Sequence, residues 1–229
     1  MHLASGVGED LTSRRLVPSS EMRWVILEGI AVFLDLRAGT YVMLEAAASA
    51  AWARVIRAAN GAEALDPGDR EFAQECVGRG YLEAAGSTTA ARRRILGPPR
   101  LPLSVYSFFS LVVTQRALAR EGFTRLYRRY ATFASSLGHS SDAGARLSRA
   151  EAAIGFAENF FTGSVAPNDC LPRSLAIYRI LKYAGLGPEH RIGVRLHPFE
   201  AHAWVECEGR LVRDTVPYVR EFAVIARLT

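Results

Sequence analysis

Cysteine is scarce: Cys76, Cys170 and Cys207 are the whole supply, an odd three. With no metal-ligand or redox spacing between them, they argue against a disulfide framework and against a zinc site. Cys76 and Cys207 are expected to pack as small hydrophobes. Long apolar runs are missing too. No stretch approaches the roughly eighteen residues that a membrane span requires, and Met1 to Ser13 shows no apolar run behind a basic start. Neither a membrane segment nor a secretory signal is expected, so the chain reads as soluble and cytoplasmic. No internal repeat or low-complexity tract is evident. The basic clusters, Arg92-Arg93-Arg94 and Arg128-Arg129, are short and lack aromatics interleaved on a predicted binding surface. The formal charge of +5 therefore reads as solvated faces rather than as a nucleic-acid footprint.

What is present is an ordinary globular balance, 49% hydrophobic and 22% charged over 229 residues, enough for two domains. Runs rich in β-branched and aromatic residues, Trp24 to Glu28, Ile30 to Leu36 and Thr40 to Leu44, are broken by Gly29 and Ala38-Gly39 and predict three short antiparallel strands. Helices follow over Glu45 to Ala59 and from Asp66-Pro67 to Gly80, with Tyr81-Leu82-Glu83 returning as a strand. Residues 86–100, with Gly86-Ser87-Thr88-Thr89 and Gly97-Pro98-Pro99, read as a linker. Beyond it, Leu103 to Leu118 and Phe123 to Ser135 predict helices, and a Ser148/Glu151 capping box predicts a third over Ser148 to Phe161. A strand over Arg191 to Leu196 is bounded by Gly187-Pro188 and His197-Pro198. Helices before a sheet make the C-terminal part α+β.

The chemistry concentrates in the last sixty or so residues. Cys170 follows the turn and cap cluster Pro167-Asn168-Asp169 and precedes apolar residues at helical spacing, Leu171, Leu175, Tyr178 and Leu181. It therefore opens a helix, where free backbone N–H groups and the positive dipole end favour a thiolate and can receive an oxyanion. Ala201 to Cys207 alternates as a strand that puts His202, Trp204 and Glu206 on one face. A three-residue loop, Cys207-Glu208-Gly209, would pair Glu206 with Arg210 and set His202 opposite Asp214 on the same face. The two-residue alternative, Glu208-Gly209, would put a glutamate at positive φ and throw His202 and Asp214 to opposite faces, so the longer loop is expected. Singly, such residues are more often structural. Together they have the order and local geometry of nucleophile, base and orienter. A ligand set of Cys170, His197 and His202 matches no common zinc pattern, so no metal and no cofactor are expected.

The runs Cys170-Leu171-Pro172-Arg173-Ser174-Leu175-Ala176-Ile177-Tyr178, Ile192-Gly193-Val194-Arg195 and Phe199-Glu200-Ala201-His202-Ala203-Trp204-Val205-Glu206 resemble the transglutaminase-like cysteine peptidases of lasso peptide biosynthesis. The resemblance implies a papain/transglutaminase-like domain over 101–229 that cleaves the leader from a ribosomally made precursor. In it, Cys170 is nucleophile, His202 base and Asp214 orienter. The strand-turn-strand Val32 to Tyr41 and the helix bearing Trp52 resemble the small winged-helix-like, PqqD-type elements that bind leader peptides. That likeness implies a recognition element over 1–85, fused to the peptidase. An open sheet edge and the last helix would grip an extended leader, with Tyr41, Val42, Met43, Leu44, Phe72, Cys76 and Arg79 as candidate contacts. An asparagine-synthetase-like cyclase is the partner such a pathway implies. The competing reading is a peptide- or DNA-binding winged-helix protein whose transglutaminase-like domain is vestigial or an acyltransferase. Recognition and cutting are expected to separate into fragments 1–85 and 101–229.

Overall fold

A computed structural model describes residues 15–59, 65–85, 101–132, 142–160 and 170–228. The expected linker, 86–100, lies outside them. The N-terminal part opens with β1 (Leu16–Pro18), β2 (Met22–Leu27), β3 (Ile30–Asp35) and β4 (Thr40–Met43), followed by α1 (Ala46–Ala59), α2 (Pro67–Gly78) and β5 (Leu82–Ala84). The three expected strands form an antiparallel sheet in the order β2-β3-β4. The short β1 was not anticipated: it pairs with β5 and closes the unit on itself.

Local chemistry explains the helices. Asp66 caps α2 by accepting from the Asp69 N–H at 2.7 Å, with Pro67 in the first turn. Asp69 in turn takes Arg54 of α1 in a two-pronged ion pair at 2.7 and 2.8 Å, which binds the two helices together. The Ser49 hydroxyl accepts from Ala31 N–H at 2.9 Å and donates to the Leu44 carbonyl at 3.1 Å, fastening α1 to the sheet.

The C-terminal part consists of α3 (Leu103–Glu121), α4 (Phe123–Ala131), α5 (Ala143–Phe160), α6 (Cys170–Tyr183), β6 (Glu189–Leu196), β7 (Phe199–Cys207), β8 (Arg210–Leu211), α7 (Val216–Val219) and β9 (Ala223–Leu228). Its antiparallel sheet runs β8-β7-β6-β9. α6 is the central post: Leu175, Ala176, Ile177, Tyr178, Ile180, Leu181 and Tyr183 are all buried. No described helix is long and apolar enough to cross a membrane.

One helix start differs from expectation. α5 begins at Ala143, not at Ser148, because Asp142 accepts from the Ala145 N–H at 2.9 Å and takes the capping role first. Ser148 is then an exposed interior position and its pairing with Glu151 caps nothing.

The two parts share a core. β3 is buried on both faces: Ala31 and Phe33 point to a small cluster with Trp52, Val55, Ala73 and Cys76, whereas Val32, Leu34 and Leu36 just beyond β3 join the large cluster built on α6, β6 and α4. Polar ties cross the same boundary, Thr124 donating to the Leu36 carbonyl and Arg128 pairing with Glu21. At its far end His197 Nε2 lies 3.1 Å from Glu28.

Candidate active site

Cys170 is the first residue of α6 and is half-buried. β7 supplies the rest of its surroundings. Among the described residues β8 pairs only with Glu206 and Cys207, so no described strand lies along the outer edge of the earlier part of β7. On that edge, alternate residues turn their backbone groups outward: the Val205 carbonyl accepts from Val212 N–H at 3.0 Å. Two residues earlier, Ala203 presents its N–H to the Cys170 sulfur, which also accepts from the Leu171 N–H and from His202.

His202 donates from Nε2 to Asp214 Oδ2 at 2.7 Å, which leaves Nδ1 for the sulfur. Asp214 is oriented by Thr215, whose N–H donates to Oδ1 at 2.8 Å. The imidazole is walled by Tyr218, edge-on at 4.9 Å between ring centroids, and by Phe222 at 5.5 Å. Trp204 and Phe222 are buried together with Val219 in a small cluster on this face of the sheet. The Tyr218 hydroxyl donates to Glu200 at 2.5 Å, and Glu200 also pairs with Arg195.

The electrostatics follow from these contacts. Burial pushes the Cys170 thiol up, but the bonds from His202, Ala203 and Leu171 and the imidazolium charge outweigh it and hold the thiol below its ordinary value. Burial pushes His202 down, but its bonds to Asp214 and Cys170 and their charges raise it to about 9. Burial also opposes ionisation of Asp214, and His202, the Thr215 N–H and the Arg173 charge overcome it. The contacts favour the ion pair of thiolate and imidazolium beside the Asp214 carboxylate over the neutral forms, an arrangement able to attack a carbonyl and to deliver a proton to a leaving group. Among the described residues no group of three or more His, Cys, Asp or Glu side chains can hold a metal ion.

The expected hairpin register is wrong in an informative way. Cys207 pairs with Arg210 and Glu206 with Leu211, so the loop is the two-residue Glu208-Gly209. Both loop residues have positive φ, 51° and 73°, the pattern of a turn whose twist matches the strands. In that register a continued strand would set Asp214 opposite Ala203, facing away from His202. Arg213 breaks the alternation with φ 60° and swings Asp214 round to the imidazole. The structure thus brings His202 and Asp214 together by a different path from the expected one.

The other cysteines are buried, and burial raises both thiols to about 11. Of the candidate peptide contacts, Val42, Leu44, Phe72 and Cys76 pack on the small core, with Cys76 enclosed in it. Met43 is half exposed on β4, and Arg79 is exposed and paired with Glu75 at the end of α2. Tyr41 faces the other way. Its ring meets Phe199 of β7 edge-on at 5.7 Å, and burial together with the Cys170 charge raises its hydroxyl to about 12. Missed altogether were Tyr218 and Phe222, which cover the imidazole, and Glu158, Arg173 and Arg213, described below. Arg173 stood in the motif around Cys170 without a role, and the others gave no local signal.

The model of the transglutaminase-like superfamily matches residues 110–227, a span that contains α4 to α7 and the whole Cys-His-Asp cluster. The chain belongs to that superfamily. It is also similar to the microcin J25-processing protein McjB of Escherichia coli, 35% identical over 65 residues. That match covers 28% of this chain and 31% of McjB. No solved structure matches.

Proposed function

We propose that the protein is a cysteine peptidase that binds the leader of a ribosomally made lasso-peptide precursor and cuts it from the core peptide. The observation that carries the reading is the junction of a helix-opening Cys170 with His202, itself bonded to Asp214 at 2.7 Å. The thiolate attacks the scissile carbonyl, and the tetrahedral oxyanion is received by N–H groups at the start of α6. Collapse breaks the C–N bond, and His202 gives its proton to the leaving amine. A water then attacks the acyl-enzyme, His202 takes a proton from it, and the acid departs as the thiolate is restored. Neither a metal nor a cofactor enters this sequence. The similarity to a processing protein supports the precursor as substrate, and a cytoplasmic site of action suits that pathway.

In this reading 1–85 is the recognition element of PqqD type, 86–100 the linker and 101–229 the peptidase. β4 supports the first assignment: it pairs only with β3 among the described strands, so its outer edge can accept an extended peptide. A leader added antiparallel to β4 enters beside Leu44 and leaves beside Tyr41, against Phe199. Its C-terminal end then points to Cys170, the polarity that a cut between leader and core requires. A cyclase would take the released core.

The test is cleavage of a precursor by the full chain. Cys170→Ala abolishes it while leader binding persists, iodoacetamide blocks it and EDTA does not. Full activity in Cys170→Ala, or inhibition by EDTA alone, would overturn the reading.

A further inference from the structure

The path of the chain through Arg213 poses a question that the triad leaves open: what holds a non-glycine residue in a left-handed conformation just before Asp214? Three side chains from two helices and the kink itself supply the answer. Glu158, near the end of α5, is mostly buried and takes one guanidinium on each carboxylate oxygen. Arg173 Nε donates to Oε1 at 2.7 Å, and Arg213 Nε and Nη2 donate to Oε2 at 2.9 and 2.8 Å. Arg173 also donates from Nη2 to the Arg213 carbonyl at 3.0 Å. The Arg213 guanidinium lies over Gly155, where a Cβ would stand 3.4 Å from it. Arg173 is three residues beyond Cys170, in the first turn of α6. One arginine therefore grips both the helix that begins at the sulfur and the backbone that aims Asp214.

We propose that Glu158, Arg173 and Arg213 form a clamp that positions Asp214 on His202, with Arg173 as the residue that ties the kink to the Cys170 helix. The proposal rests on the triad reading and deepens it. The three are positioning residues: they set the geometry of the orienter and touch no reacting atom. Without the clamp, Arg213 relaxes toward the extended strand that the hairpin register otherwise dictates, Asp214 turns toward the Ala203 face, and His202 loses its partner.

The experiment uses the full chain and iodoacetamide, with alkylation at Cys170 followed by mass spectrometry across pH. Cys76 and Cys207 are buried and serve as internal silent thiols. In Glu158→Gln the pH profile of alkylation moves up by about one unit, so that on its acid limb, where the thiol is mostly protonated, the rate at a given pH falls about tenfold. The imidazole of His202, followed by NMR, titrates below the wild-type value of about 9. Asp214→Asn gives the same two changes, and adding Glu158→Gln to it gives no further change, because both remove one interaction. Glu158→Asp, which keeps the charge, recovers part of the rate. If Glu158→Gln unfolds, Arg173→Met carries the same readouts, and unfolding of both variants rejects a positioning role in favour of a purely structural one. A wild-type pH profile in folded Glu158→Gln, where Asp214→Asn shifts it, overturns the clamp and leaves the triad standing. Precursor cleavage by Cys170→Ala overturns the triad itself.

Discussion

His202 and His190 sit on adjacent strands and show how far one residue type can be driven in opposite directions. His190 is fully buried with only the Ser174 hydroxyl on its Nε2, and burial pushes it down to about 3, so it is neutral. His202, bonded to a carboxylate and facing a thiolate, is held up to about 9. Nothing within a few residues of either distinguishes them, since the difference lies in α6 beneath one and the kink before Asp214 beside the other. The sign of the pH dependence follows. On the proposed mechanism the working state needs both charges, so cleavage should fall as pH drops through the depressed Cys170 value and again as pH rises through about 9. The stability that His202 contributes behaves likewise: its folded value lies above the ordinary 6.5, so the contribution is complete below 6.5 and lost as pH rises through about 9. Asp214→Asn should move the alkaline limb of kcat down by about one unit or more and reduce kcat by roughly a hundredfold, since orientation and charge support are both lost. A pH-rate profile of the folded variant, with the alkaline limb unmoved, would contradict this.

At the scale of elements, the helices and strands were legible because their periods and breaks are local: Asp66-Pro67 before α2, Gly185 after α6, alternation along β7. The hairpin register was not. A glutamate at positive φ is locally unfavourable, yet the same Glu-Gly pair makes two of the two-residue hairpin turns among the described residues, Glu28-Gly29 with φ 49° and 81° and Glu208-Gly209. Cross-strand burial fixes both registers at the expense of the local preference. Equally hidden was the reason for Gly193, which pairs with His202 across β6 and β7. A Cβ there would stand 2.8 Å from Phe222 and from the Trp204 ring, the side chains that pack on the imidazole's face of the sheet. Gly193→Ala should therefore cost about 1–3 kcal/mol of stability by overpacking. It should also slow Cys170 alkylation by displacing Phe222 from His202. Gly187→Ala, at an exposed position with open space around its Cβ, is the control and should change neither. Equal melting temperatures and alkylation rates for the Gly193 variant and wild type would contradict the clearance argument.

For the molecule as a whole, the composition break at 86–100 suggested two bodies that divide affinity from chemistry. What the sequence did not reveal is that β3 belongs to both cores, because a strand buried on two faces reads as a plain apolar run, Ala31-Val32-Phe33-Leu34, without saying what lies on either side. The consequence is energetic. Burying Val32, Leu34 and Leu36 against α4, α6 and β6 is worth about 1.5–3 kcal/mol per side chain. The sum is comparable to the net stability of about 5–15 kcal/mol that a whole domain possesses. A 101–229 fragment would leave that surface open, lose the Tyr41 contact with Phe199 beside Cys170, and lack the Leu36 carbonyl that Thr124 bonds. It should therefore unfold with low cooperativity and cut a precursor at least a hundredfold more slowly than the full chain. Added 1–85 should restore a single cooperative transition and most of the rate, saturating as the fragment concentration passes their dissociation constant. Mutating Leu34→Asp in the added fragment should remove the rescue, because a carboxylate would be buried at the junction without a partner. A 101–229 fragment that melts cooperatively and cuts at the full-chain rate without its N-terminal partner would show that the shared core is dispensable and that the N-terminal sheet contributes at most affinity.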